Sequence, residues 1–269
     1  FSINRNEVTK LYSESSAISG INGNETLTYT MVGEPVGQFY GYKVIGMFKE
    51  ESDFYKKDAD GNFQLDEAGN RIRIAIPKGQ QISKNGIWVG DYIYEDLHED
   101  GVIDEKDRTF LGNPAPKFTF GFNNYFAYKG FDLNIFLNGS VGNKAVNLIR
   151  RTFTDPMRNS NLLKEATDIA LIGMHDPEVG DEELSNVYIV NADRAKVQRV
   201  TTSSANDNNR ISSRFIEDAS YLRIKNISLG YTFPRKWLRH LQIDNIRLYV
   251  NIQNLCTISG YKGYDPEIG

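Results

Sequence analysis

One cysteine, Cys256, among 269 residues excludes an internal disulfide and any cysteine-cluster metal site. The three histidines, His98, His175 and His240, lie far apart and have no zinc-ligand spacing. No apolar run approaches the roughly 18–20 residues that a spanning helix requires, so a helical membrane protein is excluded. The first residues do not read as a signal peptide. A dominant charge is lacking too: 31 Lys and Arg meet 35 Asp and Glu, and the net charge of −4 is spread along the chain. No basic face for nucleic acid or acidic lipid is therefore expected. Enzyme signatures are also missing: there is no Gly-x-Ser-x-Gly, phosphate loop or dinucleotide fingerprint. Acidic pairs such as Glu50-Glu51 and Glu182-Glu183 read as solvated surface. The expectation is a chain that is not an enzyme, and no catalytic residue is nominated.

What is present is aromatic and glycine-rich: 15 Tyr, 15 Phe and 23 Gly in a chain of negative mean hydropathy. Most of the aromatics fall in short alternating runs, which favours β-structure with one wet face. Between 33 and 48 the glycines punctuate Phe39, Tyr40 and Tyr42, and with Pro35 they predict extended segments joined by tight bends. Asp60-Gly61 and Gly69-Asn70 bracket a small meander at 56–75. The best-formed pattern is at 117–140. Phe118, Phe120, Phe122, Asn124, Phe126 and Tyr128 share one face, and after the turn at Lys129-Gly130 the face continues with Phe131, Leu133, Ile135 and Leu137. Asp132, Asn134 and Asn138 point the other way. The predicted hairpin has strands of about ten residues, the length of a tilted membrane strand.

The same design returns at 221–255, where Ile246, Leu248, Val250 and Ile252 alternate with Arg247, Tyr249, Asn251 and Gln253. An apolar face opposite Arg, Asn and Gln fits lipid outside and water inside, although a soluble β-sandwich alternates similarly. From 141 to 218 the pattern changes: 145–153 and 161–172 have helical spacing around Asp155-Pro156, and 200–213 is a polar tract too hydrophilic to bury. A long connection between tight-turned hairpins suits a barrel with short turns on one rim and large loops on the other.

One segment has ligand-like spacing. From Asp96 to Asp107, oxygen ligands fall at loop positions 1, 5, 9 and 12 (Asp96, Asp100, Asp104, Asp107), Gly101 stands at the sharp turn, and the Val102 carbonyl is at position 7. A hard cation needs six or more oxygens, and a curled loop can converge them. His98 at position 3 is a poor calcium ligand, and Asp107 is one methylene shorter than the usual Glu. The segment is a candidate calcium loop, with an acidic turn that holds no metal as the alternative.

The stretch 90–143, Phe39 to Tyr42 with Gly46-Met47-Phe48, Tyr221 to Pro234, and Gly263-Tyr264-Asp265-Pro266-Glu267 resemble the C-terminal region of SusC/RagA-type TonB-linked outer-membrane transporters. The entry Asn113-Pro114-x-Pro116-Lys117-Phe118 and the hairpin after it are the most idiosyncratic match. The resemblance implies an all-β fold: the C-terminal portion (1–269) of a large transmembrane antiparallel β-barrel with long, partly helical extracellular loops. Its membrane hairpins would be at about 117–140 and 221–255, and its extracellular loop at about 141–218. It further implies a bacterial outer-membrane importer of glycan or peptide fragments, working with a SusD-like surface lipoprotein and drawing energy from the TonB complex. The short turns near Lys129 and Trp237 would face the periplasm. An N-terminal plug and a final strand are expected to lie outside these 269 residues. The alternative reading is a soluble, calcium-stabilised carbohydrate-binding β-sandwich, in which Tyr side chains and Trp88 stack on sugars.

Overall fold

The computed structural model describes residues 1–13 and 17–267. β1 (Ile18–Asn22) and β2 (Glu25–Thr30) form a hairpin, and β2 pairs with β3 (Gln38–Tyr42). β4 (Val44–Met47) leads into the small meander, whose two turns repeat Asp-x-x-Gly-Asn. Asp58 Oδ1 accepts the Asn62 amide at 2.9 Å and Asp66 Oδ1 accepts that of Asn70 at 2.8 Å, so each aspartate closes its own turn. These bonds hold both carboxyls below the usual aspartate value. The short strands β5 (Ile76–Pro77), β6 (Tyr92–Tyr94) and β7 (Val102–Ile103) follow, and β8 (Arg108–Gly112) returns to pair with β3. The first sheet has the order β1-β2-β3-β8.

The second sheet contains the long strands. β9 (Phe118–Tyr128) and β10 (Phe131–Val141) form the tight hairpin, with Lys129 at φ 48° and Gly130 at φ 89° in the turn. β11 (Lys144–Val146), α1 (Leu148–Phe153), β12 (Ile172–Met174), β13 (Val187–Ile189) and β14 (Ile216–Asp218) make up the long connection. β15 (Tyr221–Thr232), α2 (Arg235–Leu238) and β16 (Arg247–Ser259) complete the described chain. The order is β16-β15-β10-β9, antiparallel throughout.

Register decides which side chains share a face. Phe126, Leu133, Leu229 and Val250 stand in one row across the four strands, and Asn124, Ile135, Ile227 and Ile252 in another. Irregularities between Phe136 and Leu137 and between Ile224 and Asn226 shift the pairing by one residue. Beyond them Leu137, Ile224 and Cys256 still align, so the apolar face continues. Among the described residues no second layer covers it: Phe122 is 56% exposed, Phe126 58%, Leu248 64% and Val250 65%. Gly139 on this face lies under the Phe120 ring, where a Cβ would come within 2.6 Å of Phe120 Cε1 and 2.7 Å of the Tyr221 carbonyl oxygen. A glycine there lets the aromatic ring cover the backbone.

The buried core lies elsewhere, among the connections at one end of the sheet. Phe48 stacks on Phe54 at 4.0 Å, and Ile87, Trp88, Val89, Tyr92, Tyr94 and Val187 pack around them. The segments 38–112 and 141–218 meet there: Tyr42 donates its amide to the Ile211 carbonyl at 3.0 Å, and Ile189 to that of Lys49 at 2.8 Å. Among the described residues the opposite end carries only the Lys129-Gly130 turn and the 233–246 connection. The helical spacing of 145–153 yields only the six-residue α1, capped by the Asn147 side chain. That of 161–172 yields one 3-10 turn at Lys164–Asp168 before β12 begins. Tertiary ties win over periodicity here: Arg150 bonds Glu165 and the Arg214 carbonyl, and Ala170 bonds the Val197 carbonyl.

Candidate functional site: a two-faced sheet and its loop cluster

The second face of the long-stranded sheet is polar. Asp132 on β10 and Arg247 on β16 meet across the intervening β15, with Arg247 Nη2 2.6 Å from Asp132 Oδ2. They can do so because Gly230 lies between them: a Cβ there would sit 2.5 Å from Arg247 Nη2 and 2.6 Å from Asp132 Oδ1. Arg223, 6% exposed, donates to Thr257 Oγ1 at 2.8 Å and to the carboxylates of Asp265 and Glu267. The Gly-Tyr-Asp-Pro-Glu stretch thus clamps the sheet's own arginine. On the same face the amide oxygens of Asn134, Asn138 and Asn226 are buried without a hydrogen-bond partner. Buried acceptors of this kind call for donors.

The loop cluster is organised by a buried ion pair. Asp91, 1% exposed, receives Arg199 Nε at 3.0 Å and Nη2 at 3.1 Å. Arg199 also donates to the carbonyls of Lys84 and Gly86, both at 2.9 Å. Asp91 is further satisfied by the Trp88 amide and by Asn208 Nδ2, again at 2.9 Å. Asn208 Oδ1 accepts the Tyr92 amide, and Asn206 Nδ2 donates to the Tyr92 carbonyl. Gly90, at φ 94°, is required beside the pair, since a Cβ would lie 2.8 Å from that of Arg199. The pair is fully hydrogen-bonded, the condition under which a buried charge is tolerated.

This arrangement corrects one expectation. The tract 200–213 is not left in solvent: Asn206, Asn208, Ile211 and Ser212 are all buried. The side chains of Asn206 and Asn208 enter because the β6 backbone and Asp91 take up their hydrogen bonds, while Ser212 Oγ is buried without a partner. Around them Arg214 lies 3.8 Å over the Tyr92 ring, and Arg210 sits between Tyr42 and Tyr94 at 4.6 and 4.7 Å. Burial pushes the Tyr92 hydroxyl up to about 12 and raises that of Tyr94 further. Both remain donors, to the carbonyls of Lys196 and Asp207. The Arg150 guanidinium holds the Glu165 carboxyl below its ordinary range.

The 96–107 segment closes on itself. Asp96 Oδ2 accepts the Gly101 amide at 2.9 Å, Asp100 Oδ1 that of Val102 at 3.1 Å, and Asp104 Oδ1 that of Lys106 at 2.9 Å. Asp107, 1% exposed, takes the amides of Leu97 and Asp104, and the exposed His98 has its Nδ1 3.7 Å from Asp107 Oδ1. Val102 lies in β7, beside Ile76. Among the described residues no group of three or more His, Cys, Asp or Glu side chains is placed to hold a metal ion. Sequence reasoning nominated this loop and passed over Asp91, Arg199, Asn206 and Asn208. The only local signals for those were Gly90 before an acidic residue and the alternate spacing of two asparagines.

A single-layer antiparallel sheet of strands 11 to 13 residues long, apolar without cover on one face and polar on the other, defines a segment of a transmembrane-type β-barrel. No protein-family model matches the chain. It is 30% identical to TonB-dependent receptor P3 of Formosa agariphila over 99% of its own length and 22% of that protein's. It is 25% identical to the TonB-dependent receptor SusC of Bacteroides thetaiotaomicron over 81% of its length and 20% of the relative's. A chain in the structure of the RagAB peptide transporter superposes over 99% of this chain and 24% of that one, with a TM-score of 0.65 and 22% identity. The chain is thus a relative of the SusC-type TonB-dependent receptors throughout, and it spans about a fifth to a quarter of their length.

Removing one member of the Asp91–Arg199 pair strands the other in the core. Asp91→Leu and Arg199→Met are each expected to cost about 3–5 kcal/mol, while the double change Asp91→Leu/Arg199→Met costs clearly less. Denaturant unfolding of the four proteins measures this, and strictly additive costs would show that the two residues act independently.

Proposed function

We propose that this chain is part of the wall of an outer-membrane importer that takes up glycan or peptide fragments under TonB control, with a SusD-like surface lipoprotein as its partner. The carrying observation is the pair of faces on the β16-β15-β10-β9 sheet. One bears Phe122, Phe126, Leu248 and Val250 with nothing over them, and the other bears Asp132, Arg223, Arg247 and buried unpartnered asparagine oxygens. Lipid satisfies the first and a hydrated lumen the second. Its location is the bacterial outer membrane. The tight turn at 129–130 and the 233–246 connection face the periplasm, and the loop cluster faces the cell surface, where substrate and lipoprotein arrive. No catalytic role is assigned. The sandwich alternative is disfavoured by the sheet's open edges: among the described residues β16 pairs only with β15, and the outer edge of β9 has only the Ser2–Thr119 bridge.

Two experiments test this reading. In the full reading frame that carries the chain, refolded into phospholipid vesicles, Val250→Arg should cost about 2–4 kcal/mol, whereas its neighbour Asn251→Arg, on the polar face, should stay within about 0.5 kcal/mol. Equal costs would remove the lipid assignment. Deleting the frame from its source bacterium should abolish growth on either a glycan mixture or a peptide mixture as sole nutrient, with recovery only when the frame and TonB are both present. Unchanged growth on both would remove import.

A second proposal concerns calcium at 96–107. It is favoured by Asp96 Oδ1, which is buried with no hydrogen-bond partner while its sister oxygen holds Gly101. Asp100 and Asp104 would have to turn from the amides of Val102 and Lys106 to join it, and Asp107 is already committed to two amides. Titration calorimetry should give heat with calcium that Asp96→Asn abolishes; no heat up to about millimolar calcium would remove the site.

A further inference from the structure

We propose that the 233–246 connection is a docking site for the phosphate headgroups of anionic phospholipid, which ties this end of the sheet to the membrane surface. The inference rests on the barrel reading above. It departs from one sequence expectation, that no basic face for acidic lipid stands out, because the mild net charge of the whole chain conceals a local excess.

The geometry comes from a short helix tied down by one residue. α2 begins after Pro234, and Leu238, 4% exposed, is buried. That fixes Arg235, Lys236 and Arg239 on the exposed side. None of the three belongs to any ion pair among the described residues. They line a cleft of about 520 Å³ in which, among the described residues, Asp244 is the one carboxylate. Lys129, in the neighbouring tight turn, adds a further cation at the same end of the sheet, its Nζ 5.1 Å from the Tyr128 ring. Most other cations of the chain are engaged with carboxylates, carbonyls or rings, as Arg247 is with Asp132.

A second, independent feature shows what lies beside this cleft. Phe131 and Tyr231 pair across β10 and β15 on the apolar face, with ring centroids 4.5 Å apart. Tyr231 continues to Phe233 at 5.0 Å, and Phe233 to Trp237 at 6.4 Å. The ladder climbs from the lipid-facing surface onto α2 itself and ends in an indole that is 56% exposed. Aromatic rings with one apolar and one wet side settle at the membrane–water boundary. The ladder therefore sets the height of that boundary, and the uncommitted cations stand just beyond it. A lipid whose acyl chains lie along Phe131, Tyr231 and Phe233 has its headgroup at the cleft. Charge selects a phosphate that is not neutralised by its own amine, hence an anionic lipid.

The test uses the full reading frame that carries the chain, folded into vesicles of phosphatidylcholine alone or of equimolar phosphatidylcholine and phosphatidylglycerol, with folding followed by heat-dependent gel migration. Native mass spectrometry of the extracted protein then counts retained lipid. Retention of phosphatidylglycerol over phosphatidylcholine is expected. In the Arg235→Gln/Lys236→Gln/Arg239→Gln variant the preference should fall by about a hundredfold, three cations each contributing about 1 kcal/mol. Lys78→Gln/Lys106→Gln/Lys164→Gln, at the loop end, should leave it intact. The unaltered protein supplies a measurement independent of variant folding: its preference should decline as salt is raised. A folded protein with no preference, a salt-indifferent preference, or one equally strong in the first variant overturns the proposal. So does displacement of the lipid by inorganic phosphate, which would mark a free-anion site. Failure of the unaltered protein to fold into either membrane overturns the barrel reading itself, and this inference with it.

Discussion

A backbone amide in hydrocarbon has no water to turn to, so every N–H and C=O of a spanning segment must be paired within the protein. Between its strands the β16-β15-β10-β9 sheet meets that demand with ladders of ten or more aligned residues for each neighbouring pair, and the outer edges of β9 and β16 call for further strands. The rest follows from the ladders. Once β10 is paired on both sides, the alternation of its side chains sends Phe131, Leu133 and Ile135 to one face and Asp132 and Asn134 to the other. A slip of one residue would exchange lipid and lumen. The Asp132–Arg247 pair, possible only over Gly230, reinforces the register from the polar side, and the Phe120 ring over Gly139 does so from the apolar side.

The loop cluster obeys a different rule. It has a core of its own around Phe48, Phe54 and Trp88, and its polar residues are drawn in rather than excluded. Asp91 and Arg199 are 108 positions apart, and their bond joins the first half of the chain to the second. Asn206 and Asn208 extend the same network to the β6 backbone. The result is a large assembly at one end of the sheet held by directional bonds.

Much of the wall was legible beforehand. The residues Phe118 to Tyr128 and Leu248 to Ile252 alternate so regularly that face and strand follow from period alone, and the tight turn follows from Lys129-Gly130. The loop cluster was less so. The helical spacing at 161–172 gave way to a 3-10 turn and a strand because Ala170 and Leu171 bond residues 197, 190 and 191. The polar tract at 200–213 looked like exposed loop because the bonds that draw Asn206 and Asn208 inward run to Tyr92 and Asp91, more than a hundred positions away. In the acidic loop, spacing pointed to ligands, while the folded chain turns most of those carboxylates onto its own amides.

What the amino-acid sequence determined by itself is the local grammar: strand, turn and the division of side chains between two solvents. These depend on a repeat of two residues and on glycine's freedom, both of which are readable within a short window. Only the tertiary structure decided where charge accumulates and which polar groups are buried. Arg235, Lys236 and Arg239, already neighbours in sequence, are left unpaired because no carboxylate comes near enough to pair with them, while Arg199 became a keystone because Asp91 did. Charge and hydrogen-bond satisfaction depend on distance in space, which the order of residues does not state.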